Sequence, residues 1–471
     1  MVANIFFGSE EIKREQLESR INPYTNKIVS QYPICTKEDT LKALEIAKQA
    51  SKTMKESTIS QRVNWLKDVV KRLIKHKEDI AKTLCDEVGK PITFARVEVD
   101  RCIETIKLSN IAMVNLHGET INTDAMPSGK KTTSYWFREP VGVVACITPF
   151  NFPLNLIAHK IAPALVSGNA VVLKPTPEAP LTAYKLVKLF VESSYAIKDG
   201  ISLVYGDVEV GSTLVSSNIP RVLSFTGSVP VGNIITKTAG IKKVALELGG
   251  NAGTFIDKSA DLKYAASRCA FGAFINSGQV CISLQRIYVD EAIYEQFASY
   301  MKEETQKLIV GNPYDDDTFI GPLINDDALS RAKSWVQSAI DEGAVCLTGN
   351  KHDGLNFYPT IMSEVTDDMK IICEEVFAPI VSLIKVSSYD EAVEKMNDSP
   401  YGLQFSIFTN DLKQTQNFIN DASCGGVVIN DIPTLRFDIQ PYGGNKLSGI
   451  GKEGPSFAIE EFTQIKSVVI C

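Results

Sequence analysis

The sequence predicts an α/β protein made of two units, each a parallel sheet wrapped by helices. Two runs of strand–helix alternation predict it, one over residues 141–240 and one after Gly250. A third observation sets a small β element apart. Residues 130–138 (KKTTSYWFR) alternate in character and lead into no helix of their own, and residues 464–470 near the end of the chain are also strand-like. Two lone strands cannot bury a face, so a second copy of the chain is the expected partner of this piece.

The elements follow in order. Residues 60–90 carry apolar side chains at Val63, Leu66, Val69, Val70, Leu73 and Ile74, with lysines and acids opposite, the spacing of one long helix. Residues 94–116 predict a second. Residues 141–148 (VGVVACIT) read as a buried parallel strand, because the run is apolar throughout yet far too short to cross a bilayer. A turn, a helix over 154–166, a strand over 170–174 and a helix over 180–193 come next. Short strands over 202–205 and 221–225 precede a helix from about Pro230. Beyond Gly250, helices are expected over 264–275, 292–308, 328–342, 389–397 and 412–421. The matching strands fall at 286–289, 381–385, 405–409 and 426–429.

Bulk properties narrow the function classes. A chain of 471 residues has room for two or three structural units. With 44% hydrophobic and 22% charged residues it reads as an ordinary globular protein. A net charge of −7 without a long basic block argues against nucleic acid as a partner. Residues 1–16 lack the apolar core of a signal peptide, and no segment predicts a membrane span, so a cytoplasmic location is expected. Ten cysteines are scattered without a Cys-x-x-Cys pair, and the four histidines are dispersed. Neither a disulfide framework nor a metal site is expected, and most of the cysteines read as small buried hydrophobes.

Chemistry concentrates in a few places. Cys281 lies in GQVCIS and Glu247 in LELGG, 281 − 247 = 34 residues apart. A cysteine can attack a carbonyl carbon, and a carboxylate can activate water to release the product. Upstream, PFNFP brings the amide of Asn151, a donor for an oxyanion. The run SFTGSVPVG follows a strand and opens a helix, so Gly227, Ser228 and Gly232 can admit a pyrophosphate to free helix amides; an ordinary strand-to-helix turn is the alternative. Lys174 ends a strand and faces either the crevice where parallel sheets bind cofactors or simply solvent. In CEEVFAP, Glu375 stands two residues before Phe377, suited to ribose hydroxyls and a nicotinamide ring, or else a surface acid beside a core ring.

Taken together, PFNFP, FTGS, LELGG, GQVC, EEVFAP and PYGG match in order and spacing, and the chain resembles the NAD(P)-dependent aldehyde dehydrogenase superfamily over nearly its whole length. The resemblance implies a Rossmann-like cofactor-binding domain (1–121 and 141–247), an α/β catalytic domain (248–440) and oligomerisation strands (122–140 and 456–471), forming a dimer or tetramer. It implies that Cys281 attacks an aldehyde, that Asn151 and the Cys281 amide hold the oxyanion, and that Glu247 activates the hydrolytic water. It implies that Lys174 and Glu375 bind the two riboses and that Gly227, Ser228 and Gly232 line the pyrophosphate site, with Phe377 beside the nicotinamide. Thr148, Pro149, Phe150, Thr176, Pro177, Gly206, Phe225, Thr226, Leu248 and Gly249 complete the implied cofactor site.

Cofactor and substrate choice stay open at this level. Many NAD-preferring members carry a glutamate three residues after the ribose lysine. That position is Pro177 here, so NADP and NAD are both acceptable. The nearest resemblance is to the lactaldehyde dehydrogenase-like branch, next to non-phosphorylating glyceraldehyde-3-phosphate dehydrogenases, which points to a short hydroxyaldehyde such as lactaldehyde. Phosphorylated or phosphonate aldehydes and succinic semialdehyde are the alternatives, and Val280, where related branches often place an arginine, weighs against a strongly anionic substrate. Arg101, His159 and Arg436 are the candidates for a polar tail. Their plain alternatives are a salt bridge with Glu98 or Glu104, a core histidine and a surface arginine. A CoA-acylating enzyme is disfavoured by Glu247, and an inactive binding homologue by the joint presence of Cys281, Glu247 and Asn151.

Overall fold

A computed structural model describes all residues, 1–471. Its first sheet has eight strands. Five are parallel and run, across the sheet, Ile201–Leu203, Ala170–Lys174, Val143–Ile147, Val222–Thr226 and Lys243–Glu247. In chain order this is third, second, first, fourth, fifth, the doubly wound arrangement. Its strand order reverses beside Val143–Ile147 and leaves a crevice outside the carboxyl ends. Antiparallel strands close both flanks: Ile5–Phe7 against Leu203 on one, Gly449–Ile450 against Leu246 and Glu247 on the other.

The second sheet has seven strands, in the order Val345–Thr348, Thr360–Ser363, Ile380–Val386, Leu284–Asp290, Ala252–Ile256, Gln404–Phe408, Gly426–Ile429. All neighbours except the first pair are parallel. A single large core surrounds the first sheet, while the second buries separate clusters on its two faces. The small third sheet pairs Thr463–Ile470 with Thr133–Pro140 along their full length, with Glu119–Thr120 outside. Phe137, Ile465, Val469 and Ile470 are exposed on it.

Several features depart from the sequence expectation, among them the strands Lys243–Glu247, Ala252–Ile256, Val345–Thr348 and Thr360–Ser363 and the helix Val208–Ser216, none of which it includes. The helix expected over 60–90 is two helices, Ile59–Lys75 and Lys77–Val88, broken at His76, whose backbone leaves the helical region (φ −104°, ψ 13°). The first is opened by a capping box between Thr58 and Gln61, and the second ends on left-handed Gly89. The helix Lys37–Glu56, capped by Thr36 and Asp39, was not foreseen. Nor were the N-terminal strands, which are too short to show a period.

Candidate active site

Two sheets present their strand ends to one another, and the catalytic candidates come from both. Glu247 is the last residue of Lys243–Glu247 in the first sheet. Cys281 lies just before Leu284–Asp290 in the second. Three consecutive residues, Asn276 (φ +53°), Ser277 (φ +56°) and Gly278 (φ +69°), are left-handed, and this turn delivers the cysteine. Such strain persists only where the surroundings fix it. Ser277 donates to the Gly321 carbonyl at 2.8 Å, and Asn276 Nδ2 to the Asn151 carbonyl at 3.2 Å. A Cβ on Gly278 would meet the Ala378 carbonyl oxygen at 2.2 Å, so glycine is required there.

Cys281, Glu247, Asn151 and Val280 line one cavity of about 410 Å³. Asn151 Oδ1 accepts the Phe152 amide at 3.0 Å, which leaves its Nδ2 donors free for the cavity. The Cys281 amide likewise donates to no other backbone group. Burial pushes the Cys281 thiol up to about 12, against the opposing pull of a hydrogen bond with Tyr442. Glu247 is 4% exposed, and its Oε2 has no partner. Burial first, and then the charge of Glu453, hold its carboxyl well above the ordinary range. Glu453 goes the other way. Burial opposes its ionisation, but Lys160 at 2.8 Å and Arg436 at 3.2 Å outweigh it and keep the carboxylate charged.

The cofactor candidates gather at the crevice. Thr148, Pro149 and Phe150 follow Val143–Ile147, and Gly227 and Ser228 follow Val222–Thr226, on either side of the reversal of strand order. The helix Val229–Thr238 has no side-chain cap, so its first amides are open to an anion. The glycines pack closely against neighbouring side chains: a Cβ on Gly227 would meet the Phe225 ring at 2.4 Å, on Gly232 Leu248 at 2.7 Å, and on Gly249 the Glu375 carboxylate at 2.4 Å. Thr148 Oγ1 is buried without a partner. Lys174 is buried rather than solvated, which lowers its ammonium from the ordinary value. Thr176 donates to Glu178, Pro177 is exposed, and Gly206 (φ +154°) packs against Val210. Glu375 accepts the Gly250 amide at 3.0 Å, and loss of hydration pushes its carboxyl up to about 7. Phe377 is left-handed (φ +50°) and meets Phe150 edge-on, with ring centroids 5.9 Å apart. Open helix amides and an orphaned hydroxyl at the crevice fit a dinucleotide.

The residues considered for a substrate tail meet around an unforeseen carboxylate. Asp438 accepts from Arg101 at 2.7 and 3.0 Å, bonds His159 Nε2 at 2.9 Å and lies 3.7 Å from Arg436. Burial opposes its ionisation, but His159 and Arg101 hold it far below the usual carboxylate range. Arg101 therefore pairs with neither Glu98 nor Glu104. Glu98 is taken by Lys90 and by the amides of Leu154 and Asn155. Arg101 and Arg436 line the cavity, but His159 does not; it is 1% exposed and supports the wall from behind. Sequence reasoning also passed over Lys160, Arg268, Tyr442 and Glu453. Lys160 was the most legible: it is a lysine in the otherwise largely apolar helix Asn155–Val166, every residue of which is buried.

A profile described as the aldehyde dehydrogenase family matches residues 10–468. The chain belongs to the aldehyde dehydrogenase family. It is 42% identical over 466 residues to the 3-sulfolactaldehyde dehydrogenase of Priestia megaterium, covering 98% of this chain and 96% of that one. It is 40% identical over 471 residues to the lactaldehyde dehydrogenase of Methanocaldococcus jannaschii, covering 99% and 100%. Among solved structures, the glyceraldehyde-3-phosphate dehydrogenase GapN of Methanocaldococcus jannaschii, complexed with NADP, superposes with a TM-score of 0.93 at 41% identity, covering 98% and 100%. This aldehyde dehydrogenase is an oxidoreductase that oxidises an aldehyde with NAD or NADP, and no group of side chains suited to a metal ion occurs in it.

Proposed function

We propose that the protein oxidises a short hydroxyaldehyde, of the lactaldehyde type, to the corresponding carboxylate through a thioester on Cys281. The observation that carries this reading is that Cys281, Glu247 and Asn151, from separate stretches of chain, line one small cavity. The Cys281 thiolate adds to the carbonyl carbon, and the C=O π pair moves to oxygen. Asn151 Nδ2 and the Cys281 amide then hold the oxyanion, one such donor being worth about 3 kcal/mol. The chemistry NAD(P)⁺ would supply here is acceptance of the hydride from that carbon. Lys174 and Glu375 would hold its riboses, Gly227, Ser228 and Gly232 would admit its pyrophosphate, and Phe377 would pack beside its nicotinamide. Glu247 takes a proton from water, the resulting hydroxide adds to the thioester carbonyl, and the Cys281 sulfur leaves.

A second reading concerns the tail. Arg101 and Arg268 both line the cavity, each 27% exposed at the side chain and each held by one carboxylate, Asp438 and Asp431. A guanidinium has five N–H donors, so each retains some for a substrate. This favours an aldehyde with a compact anionic tail, a sulfonate or carboxylate, and supplies by another route the charge that Val280 lacks. Comparing kcat/KM for lactaldehyde, 3-sulfolactaldehyde, succinic semialdehyde and glyceraldehyde 3-phosphate, in the wild type and in Arg268→Gln, tests both readings. A hydroxyaldehyde preference untouched by the substitution supports the first. An anionic preference that Arg268→Gln weakens by tenfold or more supports the second, and no turnover across the panel sinks both.

We assign residues 1–121 and 141–247 to cofactor binding, 248–440 to catalysis, and 122–140 with 456–471 to self-association as a dimer or tetramer. Glu119–Thr120 pairs with the small sheet, and Gly449–Ile450, which lies between the assigned ranges, pairs with the first sheet. The exposed apolar side chains of the small sheet support self-association, and a purely monomeric species in sedimentation would end it. No helix is long and apolar enough to cross a membrane. All ten cysteines are free, which supports a reducing, cytoplasmic setting.

A further inference from the structure

Tyr442 stands against the reacting atom. Its hydroxyl oxygen lies 3.0 Å from Cys281 Sγ, and the residue is 5% exposed. The Arg436 guanidinium sits over the face of its ring, 3.7 Å from the centroid. A cation on the ring face withdraws electron density from the phenol and makes its O–H a stronger donor. The other charged groups acting on the cysteine are Glu375, Arg436 and Glu247, of which the two carboxylates oppose its ionisation. Glu453, Lys160 and Lys452 act one step further out, through Glu247.

We propose that the Tyr442 hydroxyl is a catalytic donor that stabilises the Cys281 thiolate and aims its lone pair into the cavity. This rests on Cys281 being the nucleophile. In the resting thiol either atom can donate. Once the S–H proton has passed to solvent, the O–H must point at sulfur, and when the S–C bond forms the sulfur loses its charge and the bond weakens. Tyr442 keeps its own proton throughout, because burial and then the neighbouring Cys281 push its phenol well above the ordinary value. The hydroxyl thus makes reachable a thiolate that its burial otherwise disfavours.

The test is the rate at which iodoacetamide alkylates Cys281 in the full-length protein between pH 7 and 9, read by mass spectrometry on the peptide that carries it. Tyr442→Phe removes one oxygen and keeps the ring under Arg436. A hydrogen bond to a charged group is worth about one to two pH units, or 10- to 100-fold in thiolate. The higher-pKa thiolate is more nucleophilic and offsets about half of that on a logarithmic scale, so alkylation falls about 3- to 10-fold at each pH. Replacing Tyr442 by 2,3-difluorotyrosine, which keeps a more acidic hydroxyl, restores the rate to the wild-type level or above. A rate unchanged or raised in Tyr442→Phe overturns the proposal, as does a difluorotyrosine variant that is as slow as phenylalanine. Alkylation reads the sulfur and not turnover, so its failure is distinct from that of the nucleophile assignment, which NAD(P)H formation by Cys281→Ala would sink.

Discussion

Replacing Glu247 by glutamine separates the two halves of the reaction. Burial and then Glu453 raise this carboxyl well above the ordinary range, and its Oε2 has no hydrogen-bond partner. Glutamine has nearly the same shape and breaks no existing bond there, so the unfolding midpoint is expected to move by about 1 kcal/mol or less. The amide cannot take a proton from water. A general base contributes about 10²- to 10⁴-fold, which at 1.36 kcal/mol per decade raises the hydrolytic barrier by about 3–5 kcal/mol. Acylation uses Cys281 and Asn151 and is spared. Stopped-flow absorbance should show a burst of about one NAD(P)H per subunit, followed by steady turnover at least 100-fold below wild type. The pH profile carries a second signature. Glu247 acts only when ionised and its pKa is raised, so wild-type turnover climbs with pH through a limb above the ordinary carboxylate range, and the limb vanishes in the variant. A variant with no burst would move Glu247 into the acylation step. Steady turnover within about threefold of wild type would refute its role as base.

Two further outcomes are expected. Gly278→Ala forces a Cβ onto the Ala378 carbonyl at a left-handed φ of +69°, so the turn that aims Cys281 must shift. Denaturant titration should show a loss of about 1–3 kcal/mol together with slowed Cys281 alkylation, and an unperturbed midpoint would mean the turn is looser than its geometry. Glu178 accepts the Thr176 hydroxyl and faces the Lys174 ammonium, so it opposes a 2′-phosphate from one residue beyond the usual acidic position. Glu178→Gln should raise the NADP-to-NAD ratio of kcat/KM by roughly 3- to 10-fold, a modest figure because the side chain is half-exposed and screened; an unchanged ratio removes Glu178 from cofactor choice.

Much of the fold was legible because parallel sheets write themselves as apolar runs. Val143–Ile147 and Ala170–Lys174 are buried on both faces, and few other structures demand such continuity. The break at His76 was not legible, since neither proline nor glycine marks it and the apolar spacing continues to its edge. That Cys281, Glu247 and Asn151, proposed as nucleophile, base and oxyanion donor, line one cavity was suggested by the short runs, shaped by glycines or prolines, in which each sits.

The charged surroundings of that trio were not legible, and the reason is topological. Between Ile432 and Glu453 the chain forms only two-residue strands, Asn445–Lys446 and Gly449–Ile450, so no periodicity announces it. Yet Gly449–Ile450 docks against Leu246 and Glu247, which fixes the whole segment beside the base. That single pairing brings in Glu453, which raises the Glu247 carboxyl, Arg436, which pairs with Glu453, Tyr442, which touches Cys281, and Asp438, which tethers Arg101. Position along the chain could not show this, because Arg101 and Asp438 are 337 residues apart. The charges also depend on one another. Glu453 stays ionised because Lys160 and Arg436 face it, and its charge in turn raises the pKa of Glu247. Neutralising Glu453 would therefore lower the pKa of Glu247 twice over, by removing a like charge and by freeing two cations to act on it. The acid limb of turnover should then move to lower pH, a shift no single residue's sequence context foretells.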